Sequence, residues 1–334
     1  MKTLHLLVLG IMLALIVKDA RAAGFQHIMV PEAVDRPLSV GIWYPSKSPV
    51  HESPDSPRGQ LLAMGGDVSG KQLPLIVISH GNGGAFTSHA DTALALAEAG
   101  FVVAAVTHTG DNADDDSSPA SRWMLDRPRH VHLLIDYMLA KWPAHARIDA
   151  NRIGVFGFSA GGYTALVLIG GIPDAKRVVA HCAANPDELV CQLGDTRDFD
   201  DPKIAAALAK GNRDARIGAA VIAAPGFGFA FDPDSLARVA IPVQLWAAAD
   251  DRNVPYASNT ATIRASLGTP PEFHDVAAAG HYAFLPACPA RLAALPIGAR
   301  ICTDSPGFDR AAFHQQFNKD VVDFFSAHLE RRIK

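Results

Sequence analysis

One five-residue segment restricts the architecture of this chain more than any other: Gly157-Phe158-Ser159-Ala160-Gly161. It fits the pattern Gly-x-Ser-x-Gly, and its flanks fit as well. Arg152 to Phe156 reads as a short apolar strand, and Gly162 to Gly170 as the opening of an apolar helix. A serine between small residues at a strand-to-helix turn is a nucleophile elbow. The turn is strained, and bulk beside it would clash with the neighbouring strand and helix. The hydroxyl is presented at the top of a sheet, where the N-terminus of the following helix favours developing negative charge.

The rest of the chain supplies the sheet such a turn needs. Leu75 to Ser79 is a continuous apolar run ending at Gly81, Asp91 to Ala99 is helical and closed by Gly100, and Phe101 to Thr107 is the next buried strand. Strand, loop, helix, strand is the pattern of a parallel sheet. Further strands are expected at Leu38 to Tyr44, Ala219 to Ala224, Val243 to Ala248 and Glu272 to Val276. Helices are expected at Pro128 to Trp142 and Phe313 to Leu329, the second with Phe317, Val321, Phe324 and Phe325 as a core-facing stripe. Residues 24–50 read as a polar start with the strand Leu38 to Tyr44, 45–72 as a Pro/Ser/Gly-rich connection, and Thr109 to Ser121 as a polar loop. The stretch 172–217 breaks the alternation, with a helix around Pro202 to Lys210, and reads as an insertion over the sheet edge that could cover a pocket.

Charge and cysteine content bound the function. The 334 residues carry a formal net charge of −4, only 19% are charged, and no basic block offers a footprint for nucleic acid. The acidic run Asp111 to Asp116 lacks the EF-hand pattern and reads as a solvated loop, so no metal is expected. Residues 1–22 read as a signal peptide: Lys2 in a basic start, an apolar stretch from Leu4 to Val17 too short for a comfortable membrane span, and Ala20-Arg21-Ala22 as a cleavage site before Ala23. A periplasmic or secreted location follows, without an obligate membrane span after cleavage. An uncleaved N-terminal tether is the alternative. Cys182, Cys191, Cys288 and Cys302 suit an oxidising compartment; they allow three connectivities, of which the local pairs 182–191 and 288–302 are the expectation.

A serine hydroxyl needs a base, and in this architecture the partners follow in the order serine, acid, histidine. Asp250-Asp251 follow the strand Val243 to Ala248, and Gly280-His281-Tyr282-Ala283-Phe284 follow Glu272 to Val276. His281 is the expected base and Asp251 the expected acid, with Asp250 as competitor and Asp126 as a weaker one. The glycine-rich Ser79-His80-Gly81-Asn82-Gly83-Gly84 segment suits an oxyanion hole built from the backbone amides of Asn82 and Ala160. It lacks the Gly-Lys-Ser/Thr ending of a phosphate loop, which argues against a nucleotide cofactor. His108, Phe227, Tyr282 and Phe284 are candidates for the pocket lining. His80 reads as a loop brace, His181 as a group reaching in from the insertion, and His274 as structural. Phe229 and Phe231 are either acyl-pocket residues or loop anchors.

These residues resemble the α/β-hydrolase superfamily and, more narrowly, the serine-type dienelactone-hydrolase-like proteins and platelet-activating-factor acetylhydrolases. The segments Ser79 to Gly84, Gly157 to Gly162, Asp251 to Pro255 and Gly280 to Phe284 carry the resemblance, which spans roughly residues 30–330. It implies an α/β-hydrolase fold, with a mostly parallel central sheet and helices on both faces, as a single domain over 23–334 with an insertion at 172–217. It implies an acyl-enzyme on Ser159, and Asn82, Asp251 and His281 match the family's oxyanion-loop, acid and base positions. Dienelactone hydrolases with a cysteine nucleophile fit less well, because Ser159 stands there, which argues against a dienelactone substrate. The expected activity is that of a secreted serine carboxylesterase without cofactor, acting on short-chain acyl esters. The alternatives are a phospholipid-directed acyl hydrolase active in lipid degradation, and a non-catalytic binding protein on the same scaffold.

Overall fold

The computed structural model describes residues 22–330, so the signal-peptide expectation falls outside the described residues except at Ala22. Nine strands form one sheet: β1 (Ala22–Val30), β2 (Leu38–Ser46), β3 (Ala63–Met64), β4 (Leu73–Ser79), β5 (Val102–Thr107), β6 (Ile148–Phe158), β7 (Ile217–Ala223), β8 (Val243–Ala248) and β9 (Glu272–Val276). Their order is β3-β1-β2-β5-β4-β6-β7-β8-β9. β2 pairs antiparallel with β1 and β5, and the six strands from β5 to β9 across the sheet pair in parallel. The chain starts the parallel part at β4, lays β5 on one side and returns to lay β6 on the other. The crevice at the carboxyl ends of β4 and β6 is therefore the topological switch point, where open α/β sheets bind ligands.

The apolar runs of the central strands supply two cores, one on each face. In β4, Leu75 and Val77 point to one face and Ile76 and Ile78 to the other. The helices α1 (Ala90–Ala99) and α10 (Arg310–His328) cover the second face, where Phe317, Val321, Phe324 and Phe325 are buried as the stripe predicts. The opposite face carries α2 (Ala120–Ala140), α3 (Ala160–Ile169), α4 (Ala175–Ala184), α5 (Pro202–Ala209), α6 (Pro233–Ala237) and α7 (Thr260–Ser266). This is the α/β-hydrolase fold, a mostly parallel sheet with helices on both faces. Two short helices, α8 (Ala290–Ala293) and α9 (Gly298–Ile301), lie in a loop closed by the Cys288–Cys302 disulfide. The Cys182–Cys191 disulfide ties α4 to the segment that follows it. Among the described residues no helix is long and apolar enough to cross a membrane.

Three local expectations change. Residues 22–30 form β1, paired along its length with β2, where a polar start was expected. Its second half alternates between half-buried and exposed positions, so it carries no continuous apolar run. The connection 45–72 contains the two-residue β3, which pairs with β1. Helix α2 begins at Ala120 rather than at Pro128, and Pro128 lies buried inside it. A proline there cannot donate to the carbonyl four residues earlier. That carbonyl, Met124 O, instead accepts the Tyr163 hydroxyl of α3 at 3.3 Å, so the helix runs through the proline with its acceptor satisfied.

Candidate active site

Ser159 sits between β6 and α3 with φ +55° and ψ −116°, a backbone region that side chains other than glycine rarely occupy. The turn is held by backbone bonds: the Ser159 amide donates to Ala223 O at 3.0 Å, and Ser159 O accepts from the Gly226 amide at 3.1 Å. Its glycines are sterically required. A Cβ on Gly157 would lie 2.1 Å from Gly161 O, and a Cβ on Gly161 would lie 1.9 Å from Ser79 O at the end of β4.

The structure brings together three residues far apart in sequence. His281 Nε2 lies 2.9 Å from Ser159 Oγ, and His281 Nδ1 lies 2.7 Å from Asp251 Oδ2. With a carboxylate at Nδ1, the neutral imidazole carries its proton there and leaves Nε2 to accept from the serine hydroxyl. Asp251 is fixed in turn, because its Oδ1 accepts the amides of Asn253 at 2.9 Å and Val254 at 2.8 Å. Each side chain follows the carboxyl end of a parallel strand, β6, β8 or β9, and the Phe158 ring packs 4.9 Å from the imidazole. Ser159 and His281 are 9% and 6% exposed, enough for contact with a ligand and too little for bulk water to surround them.

The other expected residues divide. Asn82 and Ala160 both line the cleft above Ser159. Ala160 is the first residue of α3, whose amide has no intrahelical acceptor. Phe227 and Tyr282 also line the cleft. His108 and Phe284 do not. His108 is fully buried below it, 2.9 Å from Ser79 Oγ and 3.2 Å from His130 Nδ1, and Phe284 is core, packed on Phe158 and Phe317. Asp250 faces the Ser305 hydroxyl at 3.5 Å rather than His281, and Asp126 pairs with Arg122 and Arg129 on α2. His181 stacks on Phe229 at 3.6 Å and bonds Glu188, and His274 stacks on Trp246 at 3.8 Å. Phe231 packs against Tyr163, away from the cleft.

The cleft has a volume of about 1020 Å³. Trp123, Val190, Leu193 and Phe227 give it an apolar side, and Arg58, Tyr282, Leu292 and Arg300 a mixed one. Val190 and Leu193 come from the stretch 172–217, and Leu292 and Arg300 from the loop closed by Cys288–Cys302, so both disulfide-bonded segments wall the cleft.

Asp111 and Arg127, neither of them expected at the site, support the loop after β4. The acidic run does not begin as a solvated loop: Asp111 is 1% exposed and pairs with the fully buried Arg127 of α2 at 2.7 Å. Burial by itself would push the Asp111 carboxyl up, but Arg127 and the Gly83 amide outweigh it and hold it below the ordinary carboxylate range. His80 is held neutral, down to about 3, by burial and by the Arg127 charge, and its Nδ1–H donates to Gly81 O at 2.6 Å. The one available signal was Arg127 itself, an arginine on the apolar face of α2 beside Trp123, Met124 and Val131.

The sheet order and the helices on both faces give the chain the α/β-hydrolase fold. Within it, residues 62–219 match the model of the dienelactone hydrolase family. Among solved structures the chain is similar to the ferulic acid esterase from Streptomyces cinnamoneus, with 20% sequence identity and a TM-score of 0.63 over 93% of this chain and 91% of that one. At that identity the likeness speaks for the fold. No curated protein sequence matches the chain.

Proposed function

We propose that the protein is a serine carboxylic-ester hydrolase working through an acyl-Ser159 intermediate. The hydrogen-bonded series Asp251–His281–Ser159, at 2.7 and 2.9 Å with Ser159 and His281 lining the cleft, carries this reading. Ser159 Oγ attacks the acyl carbon while His281 Nε2 takes its proton. The resulting imidazolium is stabilised by Asp251, and the amides of Asn82 and Ala160 bind the oxyanion. His281 then protonates the departing alcohol. Water, activated by the same imidazole, attacks the acyl carbon and releases the acid, restoring Ser159. Short-chain acyl groups are the first substrate class, placed against Trp123 and Phe227. The cleft volume favours a second one: about 1020 Å³ reaches the top of the usual ligand-pocket range of roughly 300–1000 Å³, which suits a long or lipid acyl chain. The leader-like residues 1–22 and the two disulfides support an exported protein whose mature chain starts at Ala23, within β1.

Hydrolysis of p-nitrophenyl esters of increasing chain length, with Ser159→Ala beside the parent, tests the proposal. The parent turns over, and the variant folds but loses roughly 10⁵–10⁶-fold in kcat. A short-chain optimum selects the first substrate class and sustained long-chain turnover the second. A folded Ser159→Ala protein with undiminished turnover excludes the mechanism. A parent that neither turns over nor reacts with a fluorophosphonate leaves a binding protein.

A further inference from the structure

We infer that Asp111 and Arg127 are positioning residues for the oxyanion loop, a role that rests on the ester-hydrolase reading. The loop after β4 is glycine-rich, and Asn82 and Gly83 at its tip are exposed to solvent. Left to itself, such a segment samples many backbone conformations, and each deviation moves the Asn82 amide off the developing oxyanion. Preorganised donors matter because they need no reorganisation during the reaction, so a loop of this composition has to be tied down from outside.

The ties come from one buried ion pair. Asp111 Oδ1 accepts both the Asn82 side-chain amide at 2.7 Å and the Gly83 backbone amide at 2.9 Å. Its Oδ2 accepts Arg127 Nε at 2.7 Å. The same guanidinium donates to His80 O at 2.6 Å and Gly81 O at 3.1 Å. Four consecutive residues, His80 to Gly83, are therefore gripped by two side chains that are both at most 1% exposed. The geometry orients as well as fixes: the carbonyls on the near side of the loop face Arg127, while the tip is drawn onto Asp111.

Arg127 has a second contact with the cleft. Its guanidinium carbon lies 5.4 Å from the centre of the Trp123 ring, which forms part of the apolar wall. Loop and wall thus share one anchor on α2. A fully buried ion pair is weak evidence for stability, since an apolar pair of the same volume often serves as well. Its directed bonds to three backbone groups and one side chain of a loop flanking Ser159 are what an apolar pair could not supply.

Three variants test the role. Asn82→Ala removes one tie from an exposed position and keeps the backbone amide. Arg127→Lys keeps the charge but loses the planar fork that reaches Asp111, His80 and Gly81 together. Asp111→Asn weakens the grip on Arg127. For Arg127→Lys and Asp111→Asn, kcat falls roughly 10- to 100-fold, within what loss of one oxyanion donor costs, with KM changed less than about threefold. Asn82→Ala shows a smaller loss of the same kind. Affinity for an alkylboronic acid, which forms a tetrahedral adduct with the serine, falls in proportion to kcat/KM. Active-site counts with a fluorophosphonate stay at one per folded chain. Should Arg127→Lys or Asp111→Asn fail to fold, Asn82→Ala still decides. Unchanged kcat and boronate affinity in folded variants overturn the positioning role alone, and so does a loss of activity that only tracks the folded fraction. A parent without turnover or labelling overturns the reading of Ser159 and this role with it.

Discussion

Asp251 shows how much of a site one carboxylate can hold. One oxygen is occupied by the Asn253 and Val254 amides, and the other faces His281 Nδ1. In Asp251→Asn the side-chain carbonyl can keep the two amides, so the turn and the thermal midpoint stay close to the parent. The amide nitrogen then meets Nδ1 and drives the imidazole to the tautomer that cannot accept from Ser159. We expect kcat to fall by roughly 10³–10⁴, as comparison of initial rates and melting curves will show. A drop of less than tenfold in a folded variant would remove Asp251 from the acid role. That Ser159, Asp251 and His281 come together was legible because the glycine-flanked elbow is sterically demanding and Asp251 and His281 lie in the loops that follow β8 and β9. Asp111 was not. A carboxylate inside a run of acids reads as solvated, and its partner Arg127 is 16 residues further along the chain. His108 and Phe284 erred the other way: proximity to a strand end placed them near the site, while their side chains point into the interior beneath it.

The same contrast holds for whole elements. Strands buried on both faces are continuous apolar runs, so β8 has the expected limits and β4 to β7 differ by only one to four residues at an end; β9, partly exposed at the sheet edge, also has the expected limits. β1 is laid along β2 toward the sheet edge and exposes His27 and Met29 between the half-buried Gln26 and Ile28, which blurs its signal into that of a loop. For α2 the proline was read as a helix start, its commonest helical position. Tertiary structure overrode that preference, because the Tyr163 hydroxyl fills the role of the missing amide hydrogen. Burial raises this phenol well above its ordinary range, so it remains a donor at every working pH. Tyr163→Phe leaves Met124 O without that donor and should cost about 1–3 kcal/mol, measured as a shift in the denaturation midpoint with the activity of the folded enzyme preserved. An unchanged midpoint would mean that α2 does not need the bond.

At the scale of the molecule, histidines decide the response to acid. Burial holds His80 and His89 to about 3, His130 to about 4 and His108 well below its usual value; nearby arginine charge adds to it at His80, His108 and His130, while Asp91 opposes it at His89. In the unfolded chain each binds a proton near ~6.5. Below that pH the unfolded state therefore holds more protons than the folded one. The stability contributed by these groups is complete above ~6.5 and is lost as pH falls toward the folded values of 3 to 4. Each histidine contributes a slope of about 1.4 kcal/mol per pH unit in that window. Melting temperature should decline steadily from pH 6.5 to 4, and a flat profile there would show that the four rings are already protonated in the fold. α10 has a different consequence, one of timing. Phe325 fills the space over Gly154 in the central strand β6, Phe317 packs on Phe156, and His314 Nε2 meets Ala283 O at 2.8 Å, two residues beyond His281. During synthesis from the N-terminus, residues 310–328 emerge after β6 and after the loop bearing His281. Until they dock, one face of the central strand stays bare and the loop bearing His281 lacks its support, so Ser159, Asp251 and His281 are all made before the element that steadies two of their carriers.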